Sequence, residues 1–183
     1  KKIADHPFAS QAKNKKPRIL TITQGTYDGV LYNAEMIKNM LSTEIDTLHF
    51  DEAWLPHASF HPFYEDMHAI GHGRARSKDA LVFATQSTHK LLAGLSQASQ
   101  ILVQDSETRK LDTYRFNEAY LMHTSTSPQY SIIASCDVAA GMMEAPGGTA
   151  LVEESIAEAL DFRRAMRKVE QEYVGTNGGN GKG

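Results

Sequence analysis

The sequence predicts an α/β fold with a mostly parallel sheet and flanking helices. Four short apolar segments, bounded by turn-forming or polar residues, have the length and composition of buried strands. They lie at residues 18–23, 45–50, 80–85 and 101–104. A segment with helical spacing separates the first two, and the order strand, helix, strand favours a crossover between parallel strands.

The first half of the chain supplies the clearest elements. Arg18 to Thr23 (RILTIT) lies between a proline and a glycine, and the TYDG segment that follows forms a turn. From Leu31 to Leu41 the apolar residues recur every three or four positions, which predicts a helix with one buried face. Trp54 to His72, between the second and third strands, is predicted to be an aromatic and histidine-rich loop region.

The second half of the chain, after Asp112, is predicted to be helical. Phe116–Met122 forms one helix, and Pro128–Met143 forms another, with Ser127 as its cap and proline at its first position. A glycine pair then breaks the pattern, and Thr149–Tyr173 has the apolar spacing of a long amphipathic helix.

Three parts of the chain are distinguished by composition. Residues 1–17 are a polar, lysine-rich lead-in, residues 18–173 carry the predicted elements, and residues 174–183 are a glycine-rich tail that is predicted to be flexible. Four short strands are few for a complete α/β enzyme, so we interpret the chain as a fragment of a longer protein.

Composition excludes several classes of function. A net charge of −3 gives no reason to expect nucleic acid or an anionic membrane as a partner. No apolar run has the roughly 20 residues that a membrane span needs, and the basic N-terminus lacks the apolar segment of a signal peptide. The single cysteine, Cys136, excludes an internal disulfide. These observations predict a cytoplasmic protein.

Two charged residues follow predicted strands and are candidates for chemistry. Asp51 follows the second strand, and Lys90 follows the third, preceded by Ser87, Thr88 and His89. Ligands of open α/β sheets bind at the carboxyl ends of the strands. A lysine amine there can form an imine with an aldehyde, hydroxyl and imidazole donors can bind a phosphate, and a carboxylate can pair with a pyridine nitrogen.

Four blocks of sequence resemble one known family. ATQSTHKLLAGLSQASQILVQ resembles the lysine-bearing signature of the bacterial Orn/Lys/Arg decarboxylases, and TYDGVLYNA, LHFDEAW and FNEAYLMHTSTSPQYSIIASCDVAAGMM resemble further blocks of that family in the same order. The likeness covers about residues 18–173. It implies the large pyridoxal-phosphate domain of the aspartate-aminotransferase-like type (fold type I), of which residues 18–173 would be a segment.

The resemblance also implies roles for individual residues. Lys90 would be the Schiff-base lysine and Asp51 the partner of the pyridine nitrogen of pyridoxal 5'-phosphate. Ser87 and His89 would contact the phosphate, and Lys90 or His89 would return a proton to the substrate.

Four more residues receive roles from the same resemblance. Ala53 and Trp54 would help to wall the cofactor site. Ser125 and Thr126 would reach the phosphate of the neighbouring subunit, because such sites are built at a dimer interface. The alternative reading of HTSTS is a capping run before the next helix.

The activity implied is decarboxylation of lysine, arginine or ornithine by a homodimer or higher homo-oligomer. The family's phosphate-binding serine/threonine loop and ring-stacking histidine have no counterpart before Arg18. This absence leaves open a non-catalytic fragment with a role in association. An aminotransferase on the same fold also stays open, since fold alone does not fix the reaction type, although the lysine block argues against it. No metal is predicted, since prolines and glycines around the pairs His57/His61 and His68/His72 disfavour the helix that would align them.

Overall fold

The computed structural model describes residues 5–12, 15–71 and 73–177, and its centre is a four-stranded sheet. The strands lie side by side in chain order: β1 (Ile19–Thr23), β2 (Thr47–Asp51), β3 (Leu81–Gln86) and β4 (Gln100–Gln104). The pairs β1–β2 and β2–β3 are parallel, whereas β4 is antiparallel to β3. The predicted α/β class with a mostly parallel sheet is therefore confirmed, and each strand lies within about two residues of its predicted position.

Three short helical segments accompany the sheet. Helix α1 (Ala9–Ala12) lies in the lead-in, α2 (Ala34–Leu41) connects β1 to β2, and α3 (Thr88–Leu91) follows β3. The predicted start of α2 at Leu31 is wrong. Asn33 is the N-cap, with an extended backbone and an Oδ1 atom that accepts a hydrogen bond from the Met36 N–H at 2.7 Å. Because a capping residue is not itself helical, the helix begins only after it.

The main core lies between α2 and one face of the sheet. Leu48, Phe50 and Val82 alternate with more exposed residues along β2 and β3, and they are almost completely buried. Ala34 of α2 and Ala69, from the segment before β3, pack against them. The period-two alternation of the strands therefore separates a core face from the opposite face, which carries His49 and Asp51.

The segment predicted as a loop after β2 contains two 3₁₀ helices, Pro56–Phe60 and Pro62–Met67. Each begins with a proline, which suits the first helical position because the N–H that proline lacks would have no partner there. The helices are short, as is usual for this type. His72, at the end of the predicted loop, lies outside the described residues.

Three longer helices follow the sheet: α4 (Thr113–His123), α5 (Tyr130–Met143) and α6 (Gly147–Asn177). The predicted start of α5 at Pro128 with a Ser127 cap is wrong. The N-cap is Gln129, and its side chain makes no capping hydrogen bond. The Ser127 N–H instead donates to Ser125 Oγ at 3.1 Å in a local turn.

Helix α6 is longer than predicted at both ends. It begins at Gly147, and a Cβ atom on Gly148 would collide with the carbonyl oxygen of Met143, so glycine permits the start of α6 to lie close against the end of α5. The helix also continues to Asn177, so the tail predicted to start at Val174 is helical over its first four residues. Residues 178–183 lie outside the described part. Within that part no helix is both long and apolar enough to cross a membrane.

Candidate active site

The predicted site residues lie at the carboxyl edge of the two central parallel strands. Asp51 is the last residue of β2, and its register partners are Thr23 on β1 and Thr85 on β3. Lys90 lies four residues beyond the end of β3, in the one-turn helix α3. Because β2 and β3 are parallel neighbours, the carboxylate and the amine leave the sheet at the same edge.

Asp51 lies on the sheet face opposite the main core. Its Oδ1 atom accepts a hydrogen bond from the Ala53 N–H at 3.1 Å, and its side chain is half-buried. Two residues earlier on the same face, His49 lies between two hydroxyl groups: Nδ1 is 3.3 Å from Thr21 Oγ1, and Nε2 is 3.1 Å from Thr85 Oγ1. His49 therefore joins three strands next to Asp51, a contact that sequence reasoning missed.

Lys90 makes a cation–π contact with the aromatic ring of Trp54. The Nζ atom is 5.3 Å from the ring centroid, and the Trp54 ring packs edge-on against Tyr27 with centroids 4.9 Å apart. Among the residues that the structure describes, no carboxylate forms an ion pair with Lys90. The amine is thus held at the edge of the sheet by an aromatic surface and not by a salt bridge.

The hydroxyl and imidazole donors before Lys90 are available to a ligand. Ser87 is the N-cap of α3, but its side chain makes no capping hydrogen bond, and the His89 side chain is exposed. The backbone around them is fixed, since the His89 N–H donates to Ala98 O at 3.1 Å. Gly94 is needed for this turn because an added Cβ atom would lie only 3.0 Å from Ala98 Cβ.

Ser125 and Thr126 lie in the exposed segment between α4 and α5. Ser125 Oγ contacts only Ser127 in the hydrogen bonds of the described chain, through an accepted bond at 3.1 Å and a donated bond at 3.4 Å. Among the described residues, no hydrogen bond joins this pair to Lys90 or Asp51. The structure also does not use Ser127 to cap α5.

Ala53 and Trp54, which are predicted to help to wall the site, follow Asp51 with one residue between. The residue between them and Asp51 behaves differently: Glu52 is completely buried and makes hydrogen bonds on the core side. The sequence contained a signal for this difference, because period-two alternation places consecutive carboxylates of a strand on opposite faces.

The donor set fits pyridoxal phosphate. The edge offers an amine without an anionic partner, a carboxylate that accepts one local hydrogen bond, and hydroxyl and imidazole groups that are not consumed by the fold. These are the groups that an aldehyde, a pyridine nitrogen and a phosphate require. They come from residues 51–54 and 87–90, which neighbouring parallel strands bring together.

The histidines that the structure describes between β2 and β3, His57, His61 and His68, serve packing and pairing. His68 is buried with Nε2 3.0 Å from the Leu55 carbonyl oxygen, and His61 Nε2 lies 2.6 Å from Glu153 Oε2 of α6. Burial lowers the pKa of His57, with a further lowering from the nearby charge of His68. In the described ranges no three His, Cys, Asp or Glu residues gather as metal ligands would.

Comparisons with known proteins assign the fold and the family. A solved lysine decarboxylase A from Pseudomonas aeruginosa superimposes with a TM-score of 0.82 and 53% identity over 93% of this chain and 22% of that one. The E. coli constitutive lysine decarboxylase superimposes with a TM-score of 0.74 and 42% identity, over 85% of this chain and 21% of that one. The fold is therefore that of fold type I pyridoxal-phosphate enzymes.

Sequence comparison identifies the family within this fold. The family model "Orn/Lys/Arg decarboxylase, major domain" matches residues 1–177. The biodegradative arginine decarboxylase of E. coli is 45% identical over 174 residues, which are 95% of this chain and 23% of that protein. The chain belongs to the Orn/Lys/Arg decarboxylase family. It spans only about a fifth of the length of these relatives.

Proposed function

We propose that this chain is a segment of the major domain of a pyridoxal-phosphate-dependent decarboxylase that acts on a basic amino acid. The observation that carries the proposal is the placement of Lys90 and Asp51 on one edge of two adjacent parallel strands, in a chain that belongs to this family. Relatives are named as decarboxylases of lysine, arginine and ornithine, so the substrate belongs to that set.

Asp51 and Lys90 take the two central roles. When bound, pyridoxal phosphate supplies an electron sink for the charge left at the α-carbon by loss of carbon dioxide. The Asp51 carboxylate would hold the pyridine nitrogen in its protonated form, because an adjacent negative charge favours the cation. The Lys90 amine would bind the aldehyde carbon, and Trp54 would hold that amine near the site when it is free.

Ser87 and His89 flank the phosphate side of the site. The Ser87 hydroxyl, which is not used as a helix cap, and the exposed His89 imidazole would donate hydrogen bonds to phosphate oxygens. Lys90 or His89 would return a proton to the α-carbon, since both lie on the first turn after β3. Ala53 and Trp54 would exclude water from the opposite side of the site.

The proposed enzyme is a cytoplasmic homodimer or higher homo-oligomer. Ser125 and Thr126 are exposed in the single chain, and membership of the family supports the proposal that they contact the phosphate in a neighbouring subunit. The remainder of the phosphate site and the groups that select lysine, arginine or ornithine would come from other parts of the full polypeptide.

An association role without catalysis is the second candidate, and exposed apolar side chains on α5 and α6 favour it. Ile133, Val138, Leu160 and Phe162 are all exposed in the single chain. Burial of such residues against another surface would be favourable whether or not the protein is an enzyme. Measurement of carbon dioxide release separates the two candidates.

The test of the proposed function is borohydride reduction of the full cofactor-bound polypeptide, followed by peptide mapping. We expect the cofactor label on Lys90 and carbon dioxide release from lysine, arginine or ornithine. Lys90→Ala should abolish both, whereas Lys78→Ala, at an exposed position before β3, should change neither. A label on another lysine would contradict the assignment, and labelling without carbon dioxide release would favour a different reaction on this fold.

A further inference from the structure

Glu52 lies between the two strand ends that carry the proposed site but faces away from it. Its side chain is 0% exposed. Its backbone N–H donates to Thr85 O at 2.9 Å, which continues the pairing of β2 and β3 one residue beyond Asp51. Glu52 is therefore joined to both strands through its backbone before its side chain makes any contact.

The carboxylate of Glu52 is satisfied by two donors from different parts of the chain. Oε1 accepts a hydrogen bond from the Ala69 N–H at 2.7 Å, and Oε2 accepts one from Gln86 Nε2 at 2.8 Å. Gln86 Oε1 in turn accepts a hydrogen bond from Gln100 Nε2 at 2.6 Å. These bonds connect the ends of β2 and β3 with the start of β4, and they also reach the segment before β3.

A buried lysine of α2 also binds Ala69, whose N–H donates to Glu52. Lys38 of α2 is 0% exposed, and its Nζ atom donates to the carbonyl oxygens of Ala69 at 3.2 Å and Ala75 at 2.8 Å. The amine also pairs with Glu35 Oε2 at 2.7 Å. Ala69 is thus fixed at its N–H by Glu52 and at its carbonyl by Lys38.

Core filling alone does not account for this set of contacts. A buried charged group costs several kcal/mol of desolvation, and a well-packed apolar side chain of similar volume is often equally or more stabilising. Hydrogen bonds are directional, so they fix distances and angles between the atoms that they join. Apolar packing does not fix them in this way. The atoms joined here belong to the residue after Asp51 and to Gln86, four residues before Lys90.

We propose that Glu52 is a positioning residue, whose paired hydrogen bonds to Gln86 and Ala69 fix the strand ends that present Asp51 and Lys90 to the cofactor. The inference rests on the proposed function. Displacement of reacting groups by about 1 Å can cost on the order of a hundredfold in rate, so a network that sets their separation affects turnover without touching substrate.

The test uses the full polypeptide with pyridoxal phosphate bound. Gln86→Glu brings two acidic side chains together where a carboxylate and an amide are now 2.8 Å apart. We expect the pH midpoint of the visible absorbance of the cofactor–lysine linkage to shift by about half a unit or more. We expect kcat to fall about tenfold or more, with KM changed by less than about twofold.

The double variant Glu52→Gln/Gln86→Glu supplies the rescue. The amide at position 52 can accept from the Ala69 N–H and donate to the carboxylate at position 86, which still accepts from Gln100. We expect its absorbance midpoint and kcat to return to within about twofold of the parent values. Double-variant impairment equal to that of Gln86→Glu would overturn the proposal.

Ser106→Ala is the matched control at the opposite edge of the sheet. Ser106 is also buried, and its Oγ atom accepts a hydrogen bond from the Arg109 N–H at 2.8 Å. We expect Ser106→Ala to lower the Tm but to leave the absorbance midpoint unchanged. A shift of the midpoint as large as that of Gln86→Glu would show that general destabilisation causes the shift.

Two further results cover a Gln86→Glu variant that does not fold and separate failure of this inference from failure of the proposed function. If Gln86→Glu does not fold, Gln86→Met, which removes the amide with little change of shape, must shift the absorbance midpoint in comparison with Ser106→Ala. A parent-like midpoint and kcat in the folded Gln86 variant would overturn the inference and leave the proposed function intact. Failure of the parent itself to bind cofactor at Lys90 would remove both.

Discussion

Apolar side chains are buried to different extents in the sheet region (residues 19–106) and in the helical region (residues 113–177). In the sheet region Phe50 is 1% exposed and packs with Leu48 and Val82, whereas in the helical region Phe162 is 66% exposed. A small apolar cluster packs Ala139, Met143 and Val152 of α5 and α6 against Leu92, the residue after α3. The sheet region therefore contains its own core, and the helical region presents apolar faces that need another surface.

This difference matters for the proposed site, because the site draws on both regions. Asp51 ends β2 and Lys90 lies in α3 just after β3, and the core of the sheet region packs against both strands. Ser125 and Thr126 stand on the helical region, whose apolar faces are uncovered within one chain. We infer that the geometry of the lysine and the aspartate is set within this segment, whereas the rest of the phosphate site depends on surfaces outside it.

The largest expected effect is the absence of enzymatic activity when this chain is expressed alone. It offers few of the charge-assisted hydrogen bonds that compensate a bound phosphate, and its helical faces are uncovered. We expect weak or absent binding of pyridoxal phosphate, no carbon dioxide release, and self-association. Cofactor titration followed by visible absorbance, a decarboxylation assay and sedimentation measure these properties. Tight stoichiometric binding with turnover would show that the segment is sufficient.

The second prediction compares two phenylalanines. In the chain alone, Phe50→Ala should lower the free energy of unfolding by about 3–5 kcal/mol, the usual cost of emptying a core position. Phe162→Ala should change it by less than about 0.5 kcal/mol, because the ring is already exposed. Urea denaturation at protein concentrations low enough to keep the chain monomeric provides both values. A large cost for Phe162→Ala in the chain alone would contradict the comparison, and a cost that appears only in the full polypeptide would support it.

The third prediction concerns Asp51 in the full polypeptide. Asp51→Asn keeps the shape but removes the charge that favours a protonated pyridine nitrogen, so the activity should fall on the order of a hundredfold while the cofactor still binds. Thermal unfolding should change little, because within the described residues the Asp51 side chain makes one hydrogen bond, to the Ala53 N–H. Near-parent turnover of the variant would show that Asp51 has another role.

The smallest expected effect is a pH dependence that comes from His57. Its pKa is lowered in the folded chain, by burial and then by the charge of His68, so the unfolded chain binds a proton first as the pH falls. Stability should therefore decrease as the pH falls below about 6.5 and level off below the folded-state pKa of His57. His57→Gln should flatten this part of the curve measured by urea denaturation, whereas His123→Gln, at an exposed position, should not.

The strands, and the positions of Asp51 and Lys90 at one edge of the sheet, were predictable because local patterns encode them. β-branched and apolar residues between turn-forming ones indicate strands, and residues just after parallel strands reach a common edge whatever their partners are. Helix starts were predicted less well. At α2 the cap is Asn33, and at α5 it is Gln129, since the identity of the capping residue depends on the approach of the chain before it.

The sequence by itself determined the α/β class, the lysine after β3 and the carboxylate at the end of β2. These depend on alternation, composition and a recognisable motif, all of which are local. Only the tertiary structure decided that β4 runs antiparallel, that Trp54 covers the Lys90 amine, and that Glu52 faces Ala69 and Gln86. The partners of Glu52 are 17 and 34 residues away along the chain. Such contacts follow from strand register and packing between distant segments, which no local pattern encodes.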